Sequence, residues 1–194
     1  MTMGFDVEAG WARLKESGAY LQGHFLLTTG RHSDQFFLLA RLTERPHWLN
    51  PWAGALAALL EPYGCSTVVG PAVGGIIPAY AVASCWPGSR MVFAEKTAAG
   101  TMQFKRGFRL EPRERVVVVE DAVTTGSSVA KVIAAVKEQG GEVAAVGALV
   151  DRSEGSLCFS EPLVSLLKTG SIAHWDAEQC PLCQSGIPLS MPKS

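Results

Sequence analysis

With 194 residues, 47% of them hydrophobic and 18% charged, the chain is sized for one packed domain and too apolar for extensive disorder. Its 17 Lys plus Arg nearly balance 18 Asp plus Glu, a net charge of -1, so no overall field draws it to nucleic acid or to an anionic membrane. Five cysteines in an odd set do not make a secreted disulfide framework, Asp6 and Glu8 sit where a signal peptide needs an apolar run, and no apolar run approaches a membrane span, so a cytoplasmic chain with reduced thiols is expected.

In chain order, Val7, Trp11 and Leu14 stand at helical spacing and Gly18 is a plausible stop, which predicts a first helix over residues 7–15. The apolar runs Phe25 to Leu27 and Phe36 to Leu39, parted by a polar stretch containing glycine, predict a hairpin. Asn50 and Pro51 look like an N-cap and first-turn proline ahead of the Ala/Leu-rich helix that closes near Gly64. From Ser66 the chain alternates: a strand at 66–70, a helix at 74–85, a strand at 90–94, a polar stretch at 97–107, and four consecutive valines, Val116 to Val119. A strand without polar alternation belongs at the centre of a sheet covered on both faces. A helix over 127–139, with Val129, Val132, Ile133 and Val136 on one face, and a strand over 142–150 continue the pattern. Strands alternating with helices imply a mostly parallel α/β sheet, whose ligands sit at the carboxyl ends of the strands. The division expected is a small N-terminal hood over about 1–45, joined by the C-terminal tail, and a core over about 46–155.

After the valines come Glu120 and Asp121, then Ala122, Val123, Thr124, Thr125, Gly126, Ser127 and Ser128, opening a helix. Two carboxylates at a strand end suit vicinal hydroxyls, and a small-residue loop at a helix N-terminus presents backbone N–H groups to a phosphate. A ribose 5-phosphate has both parts. The bland alternative is a solvated strand end followed by an ordinary helix cap. The loop lacks the GK[ST] ending of a Walker site and the GxGxxG of a dinucleotide fold.

The run VVVVEDAVTTGSS resembles the phosphoribosyl pyrophosphate signature of the type I phosphoribosyltransferases. GHFLLTTGRHSDQFF resembles the hood of the orotate-specific branch, GPAVGGIIPAY its pyrophosphate-side loop, and ALVDRSEG the strand end whose arginine pairs with the orotate carboxylate. The resemblance implies a type I phosphoribosyltransferase-like α/β fold, orotate and phosphoribosyl pyrophosphate as substrates, Mg²⁺ held mainly through substrate, and a homodimer with shared sites. It assigns Glu120 and Asp121 to the ribose and residues 122–128 to the 5-phosphate. Thr124, Arg152, Phe36 and Phe37 fall beside the base, and Lys96, Lys105 and Arg106 beside the leaving pyrophosphate. A guanidinium suits bidentate recognition of a carboxylate, although Arg152 could equally be a structural ion-pair residue and the two phenylalanines ordinary core.

Two positions and one stretch depart from that pattern: Thr28 and Gly74 stand where orotate enzymes commonly carry bases, and EKTAAGTMQFKRGF is thinner in Lys and His than the family's mobile loop. They keep open a non-catalytic sensor of phosphoribosyl pyrophosphate, and because the phosphate loop says nothing about the acceptor, a transferase for another nucleobase stays open as well. The CPLC of Cys180 to Cys183 offers two ligands where a structural zinc site needs four, so it is read first as a packed or merely tolerated C-terminal pair, with metal or redox chemistry as the alternative.

Overall fold

A computed structural model describes residues 4–192. Helix α1 (Val7–Glu16) starts at Asp6, whose carboxylate accepts from the Ala9 N–H at 3.0 Å, and gives way to Gly18 in the left-handed region. Strands β1 (Tyr20–Leu26) and β2 (His32–Phe37) form the expected hairpin. After the single turn α2 (Ala40–Thr43), helix α3 (Pro46–Leu60) begins earlier than Asn50 and Pro51 suggested. Pro46 takes the first-turn position, and Pro51 lies inside the helix. Both Pro51 and His47, four residues before it, are exposed, so the carbonyl that loses its N–H partner faces water.

The rest builds a six-stranded sheet in the order β5-β4-β3-β6-β7-β8, from β3 (Thr67–Pro71), β4 (Arg90–Lys96), β5 (Met102–Phe104), β6 (Arg115–Val123), β7 (Glu142–Asp151) and β8 (Leu163–Lys168). All pairings are parallel except β4 with β5. Strand β8 extends the sheet past residue 155, where the core was expected to close. Helix α4 (Ile76–Ala83) follows β3 and α5 (Ser127–Glu138) follows β6. Val117 and Val119 pack into the cluster that contains α3 and α4, while Val116 and Val118 pack into the one that contains α5. Both faces are thus covered, and none of the four valines is exposed. Each such burial contributes on the order of 1.5–3 kcal/mol.

A short strand β9 (His174–Trp175) returns to pair with β2, making a three-stranded hood sheet, and the last described helix is the short α6 (Pro181–Gln184). From adjacent positions in the sheet, β3 leads through α4 to β4 on one side, whereas β6 leads through α5 to β7 on the other. The loops after β3 and β6 therefore part company, and the crevice between them is the switch point where doubly wound sheets bind ligands. No described helix is long and apolar enough to cross a membrane.

Candidate active site

The acid pair lies in the last turns of β6, at this crevice. Pairing continues through Glu120, Ala122 and Val123, opposite Ala148, Val150 and Asp151. Ala122 and Val123, expected in the phosphate loop, are thus strand residues, and the Val123 side chain is buried in the core on the α5 side. The turn itself is Thr124 to Gly126.

Glu120 is only 8% exposed, and its Oε1 accepts the Asp121 N–H at 3.2 Å. Asp121 Oδ1 accepts the Ala122 N–H at 2.6 Å. Over both acids lies the loop after β3, in which the Ala72–Val73 peptide is cis. A Cβ on Gly74 would stand 3.0 Å from Asp121 Oδ2, and one on Gly75 would stand 2.8 Å from the Val119 carbonyl and 3.0 Å from Glu120 Oε1. The backbone closes directly on the carboxylates here. That close approach accounts for glycine at 74, where the family resemblance led one to expect a base. The glycine pair in GPAVGG was the available signal and was not read as an acid contact.

Burial pushes the Asp121 carboxyl above the usual range, against the hydrogen bond from Ala122. Burial, and then the Asp121 charge, pushes Glu120 up to about 9. The folded chain holds a proton on Glu120 that the unfolded chain would release near pH 4.5, so its stability falls as pH rises from about 4.5 to about 9. Glu120→Gln removes that loss. Its melting temperature is expected to match the parent near pH 4.5 and to exceed it by several degrees at pH 8, each 1 kcal/mol giving roughly 2–4 °C in a chain of this size. Parallel melting curves of the two proteins at every pH would contradict the burial argument.

Thr124, Thr125, Ser127 and Ser128 are exposed around Gly126, which takes φ +77° at the start of α5. A Cβ at Gly126 would run into the Phe159 ring, so the position needs glycine for space as well as for its left-handed backbone. The segment bearing Phe159 is tied down by the Cys158 N–H, which donates to the Thr125 carbonyl at 3.1 Å. Glu120, Thr124, Gly126 and Ser128 help enclose a cleft of about 80 Å³. Against roughly 30 Å³ for a water in the liquid, this has room for a small polyatomic anion. Backbone N–H groups and the positive end of a twelve-residue helix face it.

Arg152 follows directly on β7, its N–H donating to the Val123 carbonyl at 2.7 Å. Its guanidinium lies 4.5 Å from the Phe37 ring centroid, and its buried Nε has no hydrogen-bond partner among the described residues. Burial lowers its pKa, and the charge on Asp121 opposes the shift. A desolvated cation with an uncommitted donor, stacked on an aromatic face, is suited to a planar anion. Phe37 also meets Tyr20 at 4.9 Å and Trp11 at 6.3 Å, whereas Phe36 meets Phe25 at 5.6 Å. Neighbours on a strand point to opposite faces, so Phe37 rather than Phe36 joins the Arg152 side.

The polar stretch at 97–107 is not an open loop. It contains β5, with Met102 and Phe104 each 7% exposed, and the turn between β4 and β5 is bridged by Thr97 and Thr101. Lys96 ends β4, two strand positions from β6, or roughly 10 Å across the sheet. Arg106 donates to Glu95 Oε1 at 2.6 Å and lies 5.7 Å from the Phe93 ring, within its own hairpin. Thr124, Arg152 and the acid pair converge, while Lys96, Lys105 and Arg106 belong to the sheet edge.

The model of the phosphoribosyl transferase domain matches residues 55–179. Among curated proteins, an orotate phosphoribosyltransferase of Thermotoga maritima is 46% identical over 181 residues, 93% of this chain and 95% of that protein. One of Chlorobaculum parvum is 42% identical over 183 residues, 94% and 93% of the two chains. Among solved structures, the orotate phosphoribosyltransferase of Aeropyrum pernix superimposes with a TM-score of 0.66 at 31% identity, covering 80% of this chain and 90% of its own.

Proposed function

The chain belongs to the phosphoribosyl transferase family, and from that membership we propose how its residues divide the work. Its activity is that of an orotate phosphoribosyltransferase, a pentosyltransferase of pyrimidine biosynthesis. Ribose 5-phosphate passes from phosphoribosyl pyrophosphate to orotate, giving orotidine 5'-phosphate and pyrophosphate. The observation that carries the residue assignment is the meeting, in one crevice, of the buried Glu120 and half-buried Asp121, a phosphate-sized loop and a guanidinium with an uncommitted donor.

The 5-phosphate sits on the loop from Thr124 to Ser128, where N–H groups and hydroxyls supply donors at no cost in side-chain charge. Glu120 and Asp121 take the ribose hydroxyls and face the positive charge that builds on the sugar ring as the pyrophosphate leaves. Arg152 grips the orotate carboxylate, Phe37 backs the guanidinium, and Thr124 flanks the base. No covalent nucleophile is needed; positioning and fixed charge do most of the work.

Mg²⁺ is the implied cofactor. Glu120 and Asp121 offer the hard oxygen donors that such a cation prefers; burial keeps a proton on Glu120 in the free chain, which the charge of a bound cation would help to expel, and the pair would hold the ion mainly through the substrate's hydroxyls. When bound, Mg²⁺ neutralises the pyrophosphate and makes it a better leaving group.

The β4–β5 hairpin serves a neighbouring subunit in this reading, because Lys96 and Arg106 lie strands away from their own acid pair. The protein is then a cytoplasmic homodimer whose hairpins reach across to cover the partner site and exclude water. Lys96→Ala should lower turnover by about 10²-fold or more with an unchanged melting temperature. Mixing Lys96→Ala with Asp121→Asn chains should restore activity that neither shows alone, since the hybrid has one intact composite site. Two inactive parents giving an inactive mixture, with subunit exchange verified, would rule out a shared site.

A further inference from the structure

Outside the crevice, four side chains with metal-binding atoms converge. His24 stands on β1 and His32 opens β2, while Cys180 and Cys183 flank the first turn of α6. One ligand atom from each lies within 4.8 Å of the other three. His24 Nε2 is 2.9 Å from His32 Nδ1, 3.5 Å from Cys180 Sγ and 3.6 Å from Cys183 Sγ, and Cys183 Sγ is 3.3 Å from His32 Nδ1. A tetrahedron built on Zn–S bonds of about 2.3 Å and Zn–N bonds of about 2.0–2.1 Å has edges of roughly 3.3–3.8 Å. Three of these four distances lie within that range, and the His–His distance is slightly short of it.

The protonation pattern agrees. His24 Nδ1 lies 2.7 Å from the Ile187 carbonyl oxygen, which can only accept. The ring proton therefore sits on Nδ1, and the Nε2 lone pair faces the two sulfurs and His32. A histidine oriented by a backbone carbonyl through its far nitrogen is the usual arrangement behind a metal. Two imidazoles and two thiols gathered within 4.8 Å of one another form a donor set that suits zinc, and two thiolates would cancel its charge in a place where His24, His32 and Cys180 are all buried.

We propose that His24, His32, Cys180 and Cys183 bind one structural zinc ion that fastens the C-terminal tail to the hood hairpin. Binding displaces the two thiol protons to solvent and forms four bonds, with no redox change. Elsewhere the described tail is held by single polar contacts: the Ser33 hydroxyl donates to the Ala173 carbonyl, and Arg31 donates to the His174 carbonyl and pairs with Asp176. Helix α6 buries none of its residues, Ile187 and Leu189 are 43% and 42% exposed, and β9 pairs with β2 over two residues. Its other attachments include the backbone bonds of Ser190 with His24 and Leu26. A hood this small cannot build a large core of its own, and a metal supplies the missing crosslink. The hairpin that it steadies carries Phe37, so the zinc acts on the orotate side of the crevice only indirectly, a consequence that rests on the functional reading above.

The test begins with metal analysis of the full-length protein, purified without chelator and dialysed against metal-free buffer. One zinc per chain is expected. Cobalt(II) loaded into stripped protein should give the intense visible bands of a tetrahedral thiolate site. Cys183→Ser, at an exposed position, and His32→Gln should each reduce bound zinc to background while still binding phosphoribosyl pyrophosphate. Stripping the parent should lower its melting temperature, with zinc chloride restoring it. Background zinc in the parent with only the weak spectrum of hydrated cobalt, or a Cys180–Cys183 disulfide in protein kept under reductant, would overturn the proposal. These readouts do not depend on orotate turnover, so failure of the metal site and failure of the enzymatic assignment are separately visible.

Discussion

Asp121→Asn is expected to leave a folded chain that turns over about 10²–10³-fold more slowly than the parent, the loss typical when one fixed electrostatic contact to a transition state is removed. The substitution is nearly isosteric, and the asparagine oxygen can still accept the Ala122 N–H that Asp121 Oδ1 accepts at 2.6 Å. Burial already disfavours the Asp121 charge, so its removal should not destabilise the fold. Stability therefore stays level or rises while kcat falls. Retained turnover would remove Asp121 from the ribose site.

The second large effect concerns the base. Arg152→Gln deletes a desolvated guanidinium whose Nε has no partner among the described residues and which lies over the Phe37 ring. Truncating one side of a buried charged contact costs about 2–5 kcal/mol, and 3 kcal/mol corresponds to roughly a 150-fold loss. The loss should appear in kcat/KM for orotate, with the affinity for phosphoribosyl pyrophosphate little changed, because the phosphate loop does not depend on this side chain. An equal loss for both substrates would instead mean that Arg152 supports the loop structurally through its backbone bond to Val123.

Much of the fold was legible because burial writes itself locally. Four valines without polar alternation can only be a strand covered on both faces, and both faces are covered. The acids and the Thr/Gly/Ser turn were legible for a similar reason, since both halves of the ligand contact lie within nine consecutive residues. What escaped lies in contacts that sequence spacing does not encode. In the polar stretch before Gly107, Met102 and Phe104 alternate with one exposed Gln, too short a pattern to mark β5 by periodicity. Pro51 looked like a helix start because proline favours the first turn, but Pro46 had already taken that place. Gly74 looked like a missing base until the fold brought it against Asp121. The CPLC pair looked two ligands short because His24 lies 156 positions from Cys180 in the chain.

The most direct test of the central assignment is the loss of orotate absorbance when the purified protein is mixed with orotate, phosphoribosyl pyrophosphate and Mg²⁺, with hypoxanthine, adenine and uracil run in parallel. Turnover with orotate alone, dependent on Mg²⁺ and reduced in Arg152→Gln, is the predicted result. Turnover with another base in place of orotate, or none with any base despite measurable binding of phosphoribosyl pyrophosphate, would contradict it.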